Sequence, residues 1–152
     1  MSYKVFISYS TKDLPKVNHI RSMLEHSAIE VFVAEYSLLP GQPLSEHIIN
    51  AIKNCNLFIL LWSSSARESE WVPQEIGIAK SAEKTILPVV LEQGLTLPGF
   101  ISNLKYLNVY QDPERALEWL QVNVFKQAEE KQKNEGLVWL GIGAAVLWLA
   151  SK

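Results

Sequence analysis

The sequence predicts an α/β protein built on a flavodoxin-like, doubly wound sheet of five parallel strands. Short runs of apolar, often β-branched residues alternate with segments whose apolar residues recur at helical spacing. The runs are apolar throughout, as expected for strands covered on both faces. The chain has 152 residues, of which 48% are hydrophobic, and this is enough for one such core. Helices on both faces of a single sheet are therefore expected.

Five apolar runs predict the strands. Pro88 lies inside the fourth run and predicts an end or irregular position, because proline cannot donate a hydrogen bond to a strand ladder. The fifth run is expected to form an edge strand. In chain order the predicted strands cover residues 5–7, 31–34, 57–62, 86–91 and 106–109.

Helices are predicted between the strands. Asp13 and Ser45 stand where helix N-caps are expected, before segments with apolar residues at helical spacing. A third helix is expected over about residues 70–83, and Pro113 stands at the first turn of a fourth. Residues 63–65, three serines, are expected to form a polar loop.

The C-terminal part of the chain divides into three segments. Residues 1–128 are predicted to form the α/β domain, and residues 129–135 a charged linker or helix extension. Residues 136–151 contain no charged residue and would span about 24 Å as a helix, short of the roughly 30 Å hydrocarbon core of a bilayer. Residues 136–152 are therefore expected to be a short membrane anchor that leaves the domain cytoplasmic, or a hydrophobic helix packed on a partner or on its own copies.

Composition narrows the possible functions. The formal net charge of −2 argues against a nucleic-acid partner, since there is no basic field to hold phosphates. Cys55 is the only cysteine in the sequence, so no internal disulfide is possible, and we expect it to be a small buried residue. The three histidines lie in no motif with metal-ligand spacing, and we expect surface positions and no metal. They are His19, His26 and His47.

A candidate site is predicted at the carboxyl edge of the sheet. In doubly wound sheets, ligands bind outside the carboxyl ends of the strands, near the point where the strand order reverses. Polar residues follow the first three predicted strands and should converge there. They are Ser8, Tyr9, Ser10, Thr11 and Lys12 after the first strand, Tyr36 after the second, and Trp71 and Glu75 after the third.

Several motifs along this edge resemble those of the TIR (Toll/interleukin-1 receptor) domain family. The segment FISYS at residues 6–10, followed by Asp13, resembles the family's opening motif. The segment LLPGQPL at 38–44 resembles its BB loop, and SEWVPQE at 69–75 resembles the segment that carries the active-site glutamate in NAD-cleaving members. The resemblance extends over about residues 3–125. One departure is Ala34, followed by Glu35, where many members have aspartate after the second strand.

The resemblance implies an NAD⁺ glycohydrolase or cyclase of microbial immunity, with NAD⁺ as substrate and no cofactor. Glu75 would be catalytic, and Trp71 would shape the nicotinamide–ribose pocket. Backbone and hydroxyl groups of residues 8–11 would bind the diphosphate, with Lys12 nearby, while Tyr9 and Tyr36 would line the base or ribose. The resemblance also implies activity through self-assembly, to which the BB loop contributes. The loop residues concerned are Leu39, Pro40, Gly41 and Gln42.

The same residues also allow other interpretations of the chain's function and of individual roles. The chain could be a non-catalytic adaptor that binds other TIR domains through the BB loop. A glutamate in the first turn of a helix is also commonly a solvated residue favoured by the helix dipole. Asp13 is expected to be an N-cap rather than a ligand contact. A phosphoacceptor regulator is disfavoured, because the third strand ends in Trp62 and Ser63 where such a protein would place an aspartate.

Overall fold

The computed structural model describes residues 2–34 and 44–133. Within these residues, five strands form one sheet in the order β2-β1-β3-β4-β5, and every neighbouring pair is parallel. The predicted fold class is therefore confirmed, with the strand order of a flavodoxin-like sheet. The strands are β1 (Tyr3–Ser8), β2 (Ile29–Val33), β3 (Leu57–Trp62), β4 (Ile86–Val90) and β5 (Leu107–Asn108).

Helices cover both faces of the sheet. The apolar side chains of α1 and α5 pack on one face, and those of α2, α3 and α4 pack on the other. Side chains of the central strand alternate between the two cores: Ile59 and Leu61 join the first, and Phe58 and Leu60 the second. The helices are α1 (Leu14–Met23), α2 (Glu46–Asn54), α3 (Ser64–Arg67), α4 (Val72–Ser81) and α5 (Pro113–Lys133).

A row of aromatic rings sets the register of three strands. Phe6 on β1 stands opposite Phe32 on β2 and opposite Phe58 on β3. The ring of Phe6 is stacked against both, with centroid distances of 5.3 and 5.4 Å. A shift of one residue in the pairing of these strands would move a ring to the other face of the sheet. This row therefore fixes where the carboxyl ends of β1 and β3 meet.

Pro88 lies in the middle of β4, opposite Leu60, so the expectation of an end or irregular position was wrong. Backbone groups alternate in direction along a strand. Since Leu91 donates to β3 and the Val90 carbonyl accepts from Val109 next to β5, the nitrogen of Pro88 faces β5. The β4–β5 ladder begins only at Val89. The missing N–H of Pro88 therefore removes no ladder bond, and β5 pairs over two residues.

The helices differ from the prediction at several points. Residues 64–67 form the short helix α3 instead of a loop, because the Ser63 hydroxyl caps it by accepting from the Ala66 N–H at 3.0 Å. Helix α1 ends at Met23. Helix α5 runs without a break from Pro113 to Lys133, so the described part of the charged segment is helical.

The remaining predictions concern the histidines, Cys55 and the C-terminal segment, and the structure describes only some of these residues. The three histidines are exposed and Cys55 is buried. No helix within the described ranges combines the length and apolar character needed to cross a membrane. The predicted anchor at 136–152 lies outside the described residues, so it stays a prediction, as do the domain boundaries.

Candidate functional site

A buried carboxylate lies at the carboxyl end of β1. Helix α4 packs directly against β1, and its buried side chains are those of Val72, Glu75, Ile76 and Ala79. Glu75 thus occupies a position in an otherwise apolar stripe, and its exposed fraction is 0%. The Ser8 hydroxyl, at the last residue of β1, donates a hydrogen bond of 2.6 Å to Glu75 Oε1.

The position of Glu75 in the helix favours a negative charge. It lies in the first turn of α4, where the helix dipole and the N-terminal N–H groups stabilise an anion. Burying a carboxylate is costly unless it is hydrogen-bonded, and the bond from Ser8 offsets part of this cost. The alternative of a solvated glutamate is therefore wrong, and the catalytic role of Glu75 at this edge of the sheet stays a prediction.

A second serine–carboxylate pair connects the ends of β1 and β3. Asp13 occupies the N-cap position of α1, as expected, but its side chain makes no capping bond. Instead, Asp13 Oδ2 accepts from the Ser63 hydroxyl at 2.5 Å. Because that hydroxyl also caps α3, this pair joins the start of α1 to the start of α3.

A third pair lies beside β4. Glu92 accepts from the Ser64 N–H at 2.9 Å and from the Ser64 hydroxyl at 3.0 Å. The roles of Ser63, Ser64 and Glu92 were not predicted from the sequence. The available signal was the run of three serines directly after the central strand, since hydroxyl groups there can cap a helix or bind the carboxylates of neighbouring loops.

The residues after β1 that are predicted to bind substrate differ in burial. Ser8, Tyr9 and Ser10 are buried, and the Tyr9 hydroxyl donates to the Ala34 carbonyl at 2.5 Å. Ser10 accepts from the Lys12 N–H at 3.3 Å, and the side chains of Thr11 and Lys12 are exposed. The structure therefore places all five at the end of β1, and their roles toward a substrate stay predictions.

Trp71 stands at the N-cap position of α4 and is half-buried. The Ser69 hydroxyl accepts from the N–H groups of Trp71 and Val72, at 3.1 and 3.3 Å. Ser69 thus supplies the cap that Trp71 cannot, which is the structural reason for a serine two residues before this tryptophan. The cap places Trp71 one helical turn before Glu75.

Some predicted site residues lie outside the described residues. These are Tyr36 and the BB-loop residues Leu39, Pro40, Gly41 and Gln42, and their roles stay predictions. Within the described ranges there is no group of three or more His, Cys, Asp or Glu residues that could hold a metal ion.

The fold and the site together define a flavodoxin-like α/β domain whose polar residues converge at the carboxyl edge of β1, β3 and β4. A sequence model of the TIR domain matches residues 5–121. The chain therefore belongs to the TIR domain family.

Several known proteins are similar to this chain. A probable 2′ cyclic ADP-D-ribose synthase of Brachypodium distachyon is 27% identical over 89 residues, covering 57% of this chain and 40% of that protein. Human Toll-like receptor 1 is 27% identical over 154 residues, covering 96% of this chain and 18% of the receptor. The chain thus spans less than half the length of the curated relatives it matches.

Two solved structures share the fold. The TIR domain of a Toll-related receptor from Hydra magnipapillata has a TM-score of 0.65 at 26% identity, covering 84% of this chain and 99% of that domain. A CMP N-glycosidase from Clostridium botulinum has a TM-score of 0.57 at 25% identity, covering 78% of this chain and 98% of the enzyme. Proteins similar to this chain therefore include both receptors and enzymes.

Proposed function

We propose that this chain cleaves the N-glycosidic bond between nicotinamide and ribose in NAD⁺, with Glu75 as its catalytic residue. The observation that carries the proposal is a carboxylate buried in an apolar helix stripe at the carboxyl edge of the sheet, where Ser8 holds it. A buried carboxylate costs stability, and its position at a ligand-binding edge favours a role in chemistry.

The reaction requires one carboxylate and no general acid. The nicotinamide of NAD⁺ is a cationic pyridinium, so when the C1′–N bond breaks, its electron pair neutralises the ring nitrogen and nicotinamide leaves uncharged. The positive charge moves to the ribose, which becomes oxocarbenium-like. A fixed carboxylate beside the ribose stabilises that charge. Water, or a nucleophile within the nucleotide, then bonds to C1′, releases its proton to solvent and gives ADP-ribose or a cyclic product.

The burial of Glu75 adds a condition to this mechanism. A ribose cannot contact a side chain that is 0% exposed unless the groups that cover it move. Self-assembly, which the resemblance to TIR domains implies, would supply the free energy for such a movement if the assembled state binds NAD⁺ better with the site open. We therefore propose that dilute protein is less active per molecule than concentrated protein.

The first test measures free nicotinamide after mixing concentrated protein with NAD⁺. Wild type is expected to release nicotinamide, and Glu75→Gln is expected to lose at least about 100-fold in rate, because the amide carries no charge to oppose the developing cation. Glu118→Gln changes an exposed glutamate on α5 and is expected to keep wild-type activity. Absence of nicotinamide release by concentrated wild type would overturn the proposal.

The same assay discriminates among substrates. One structural relative is a CMP N-glycosidase, so NADP⁺ and CMP are tested beside NAD⁺. Cytosine leaves CMP as an anion unless it is protonated, so a carboxylate that only stabilises the ribose cation should favour the pyridinium substrate. Release of cytosine in place of nicotinamide would move the proposed activity to another nucleotide. Mass spectrometry of the ribosyl product separates hydrolysis from cyclisation.

A second candidate function is a non-catalytic adaptor that binds other TIR domains. It is favoured by the Toll-like receptors, whose similarity extends over 95–96% of this chain, and by the closed position of Glu75. An adaptor would bind a TIR partner equally well with glutamate or glutamine at position 75 and would release no nicotinamide. The assay with Glu75→Gln therefore decides between the two functions.

A further inference from the structure

We propose that Ser8 is a positioning residue for Glu75 and does not bind the diphosphate. This inference rests on the proposed function. Ser8 ends β1 and Glu75 lies in the first turn of α4, 67 residues later. Both side chains are 0% exposed, and the 2.6 Å bond between them is as short as expected for a hydroxyl that donates to a carboxylate.

The hydrogen-bonding capacity of the hydroxyl supports this assignment. A serine hydroxyl has one proton to donate. Since that proton is directed at Glu75 Oε1, Ser8 cannot at the same time donate to a phosphate oxygen. A diphosphate that approached Ser8 would meet only hydroxyl lone pairs and a nearby carboxylate, both of which repel an anion. Anion binding is therefore left to the groups beyond Ser8, where Thr11 and Lys12 are exposed.

The position of Ser8 at the end of an interior strand suits it to hold a side chain in place. β1 lies between β2 and β3, and Ser8, its last residue, pairs with Leu60 of β3, which fixes the Ser8 backbone. A rigid donor at that point fixes the rotation of the Glu75 carboxylate about its last bond. Without this donor, one of the contacts that orient the carboxylate is lost, and its negative charge is stabilised less.

The test compares three variants in the nicotinamide-release assay. Ser8→Ala removes the donor, Ser8→Cys replaces it with a weak donor of similar size, and Ser8→Thr keeps a hydroxyl. We expect Ala and Cys to lower kcat by about 10- to 100-fold with KM within about twofold, because the lost bond orients a group that acts in the transition state. The acid limb of the pH–rate profile should move to higher pH, and Thr should recover most of the lost kcat.

Two outcomes would overturn the assignment. A raised KM with unchanged kcat would mean that Ser8 binds substrate. An unchanged pH profile and unchanged activity per folded molecule would mean that the bond matters to folding alone. Ser64→Ala is the matched control, since it removes a serine hydroxyl that donates to a carboxylate, that of Glu92, at the same edge of the sheet, and it should leave the pH–rate profile in place.

A second measurement does not depend on catalysis. If wild type releases no nicotinamide, the proposed function fails, but the pair can still be tested by urea unfolding of Ser8→Ala, Glu75→Ala and the double variant. A direct bond predicts that the shift in midpoint for the double variant is smaller than the sum of the two single shifts. Additive shifts would show that the two side chains are not coupled, and the inference would then fail independently of the proposed function.

Discussion

At the scale of single residues, burial changes the pKa values of ordinary side chains. Cys55 ends α2 and is 3% exposed, and burial raises the pKa of its thiol from the ordinary value of 9.0 to about 11. Tyr3, at the start of β1, is 1% exposed, and burial raises the pKa of its hydroxyl well above the ordinary value. Neither group ionises in the folded protein near neutral pH, so Cys55 is suited to packing rather than to nucleophilic attack.

The pKa of Cys55 predicts how stability depends on alkaline pH. In the unfolded chain the thiol ionises near pH 9, whereas the folded protein keeps the proton to about pH 11. Ionisation therefore stabilises the unfolded state first, and the free energy of unfolding falls between these two values by about 2–3 kcal/mol. Below pH 9 this group contributes no pH dependence.

The measurement is urea unfolding of wild type and Cys55→Ala at several pH values from 8 to 11. The other titrating groups are common to both proteins, so most of their contributions cancel in the difference; Tyr3 is the exception, because the charge on Cys55 adds to the burial that raises the pKa of the Tyr3 hydroxyl. The stability advantage of wild type over Cys55→Ala is expected to shrink as the pH rises. A difference that stays constant over this range would contradict the raised pKa.

At the scale of elements, the sequence predicted strands better than it predicted the contacts between their ends. Buried parallel strands are continuous apolar runs, and β3 shows this pattern over its whole length, Leu57–Trp62. Helix α3 was missed because four residues cannot show a helical period, and the cap from Ser63 depends on backbone geometry. Local pattern identifies an element only when the element is long enough to repeat.

For the candidate site, too, the residues were predicted but the contacts between them were not. Ser8 and Glu75 were each assigned to it, but their bond joins residues far apart in the chain, and no local pattern encodes it. Asp13 looked like the cap of α1 because capping residues are recognised by position, yet its carboxylate binds Ser63 from another element. The residues that a side chain contacts in the folded protein decide which of its possible roles it takes.

The two capping serines allow a prediction at this scale. Ser63 caps α3 and also donates to Asp13, whereas Ser45 caps α2 by accepting from the Ile48 N–H at 3.2 Å. Ser45→Ala is expected to cost about 1 kcal/mol, the usual cost of a lost cap. Ser63→Ala should cost about 2–3 kcal/mol, because it also leaves a part-buried carboxylate without this donor.

Urea unfolding of both variants measures the comparison. Ser63→Thr keeps the hydroxyl and should recover most of the stability lost in Ser63→Ala, which separates the hydroxyl's contribution from that of side-chain volume. If Ser45→Ala and Ser63→Ala cost the same, the bond to Asp13 contributes nothing beyond the cap.

At the scale of the whole molecule, the topology separates the candidate site from the end of α5. Glu75 and Ser8 lie at the carboxyl edge of the sheet. Helix α5 follows β5 and runs back to the opposite edge, where Lys131 Nζ donates to Asn56 Oδ1 at 3.1 Å. Asn56 precedes β3 and also accepts from the Lys4 N–H near the start of β1. The chain therefore continues into residues 134–152 from the edge opposite the site.

The uncharged run at residues 136–151 would concentrate the protein if it inserts into a membrane, because copies held on one surface reach a high effective concentration. We expect the full chain to sediment with lipid vesicles and a chain ending at Glu135 to remain in the supernatant. Because the buried residues of α5 end at Ala128, both proteins should unfold at the same urea concentration.

The same pair of proteins tests whether concentration at a surface raises the proposed activity. At a low total concentration, vesicles should raise nicotinamide release by the full chain and leave the shortened chain unchanged, since only the full chain would be concentrated on the lipid. If the run packs on its own copies instead, the full chain forms larger particles in light scattering without vesicles, and added lipid changes nothing. If both chains bind vesicles equally, the domain surface rather than the C-terminal run contacts the membrane, and the predicted anchor is wrong.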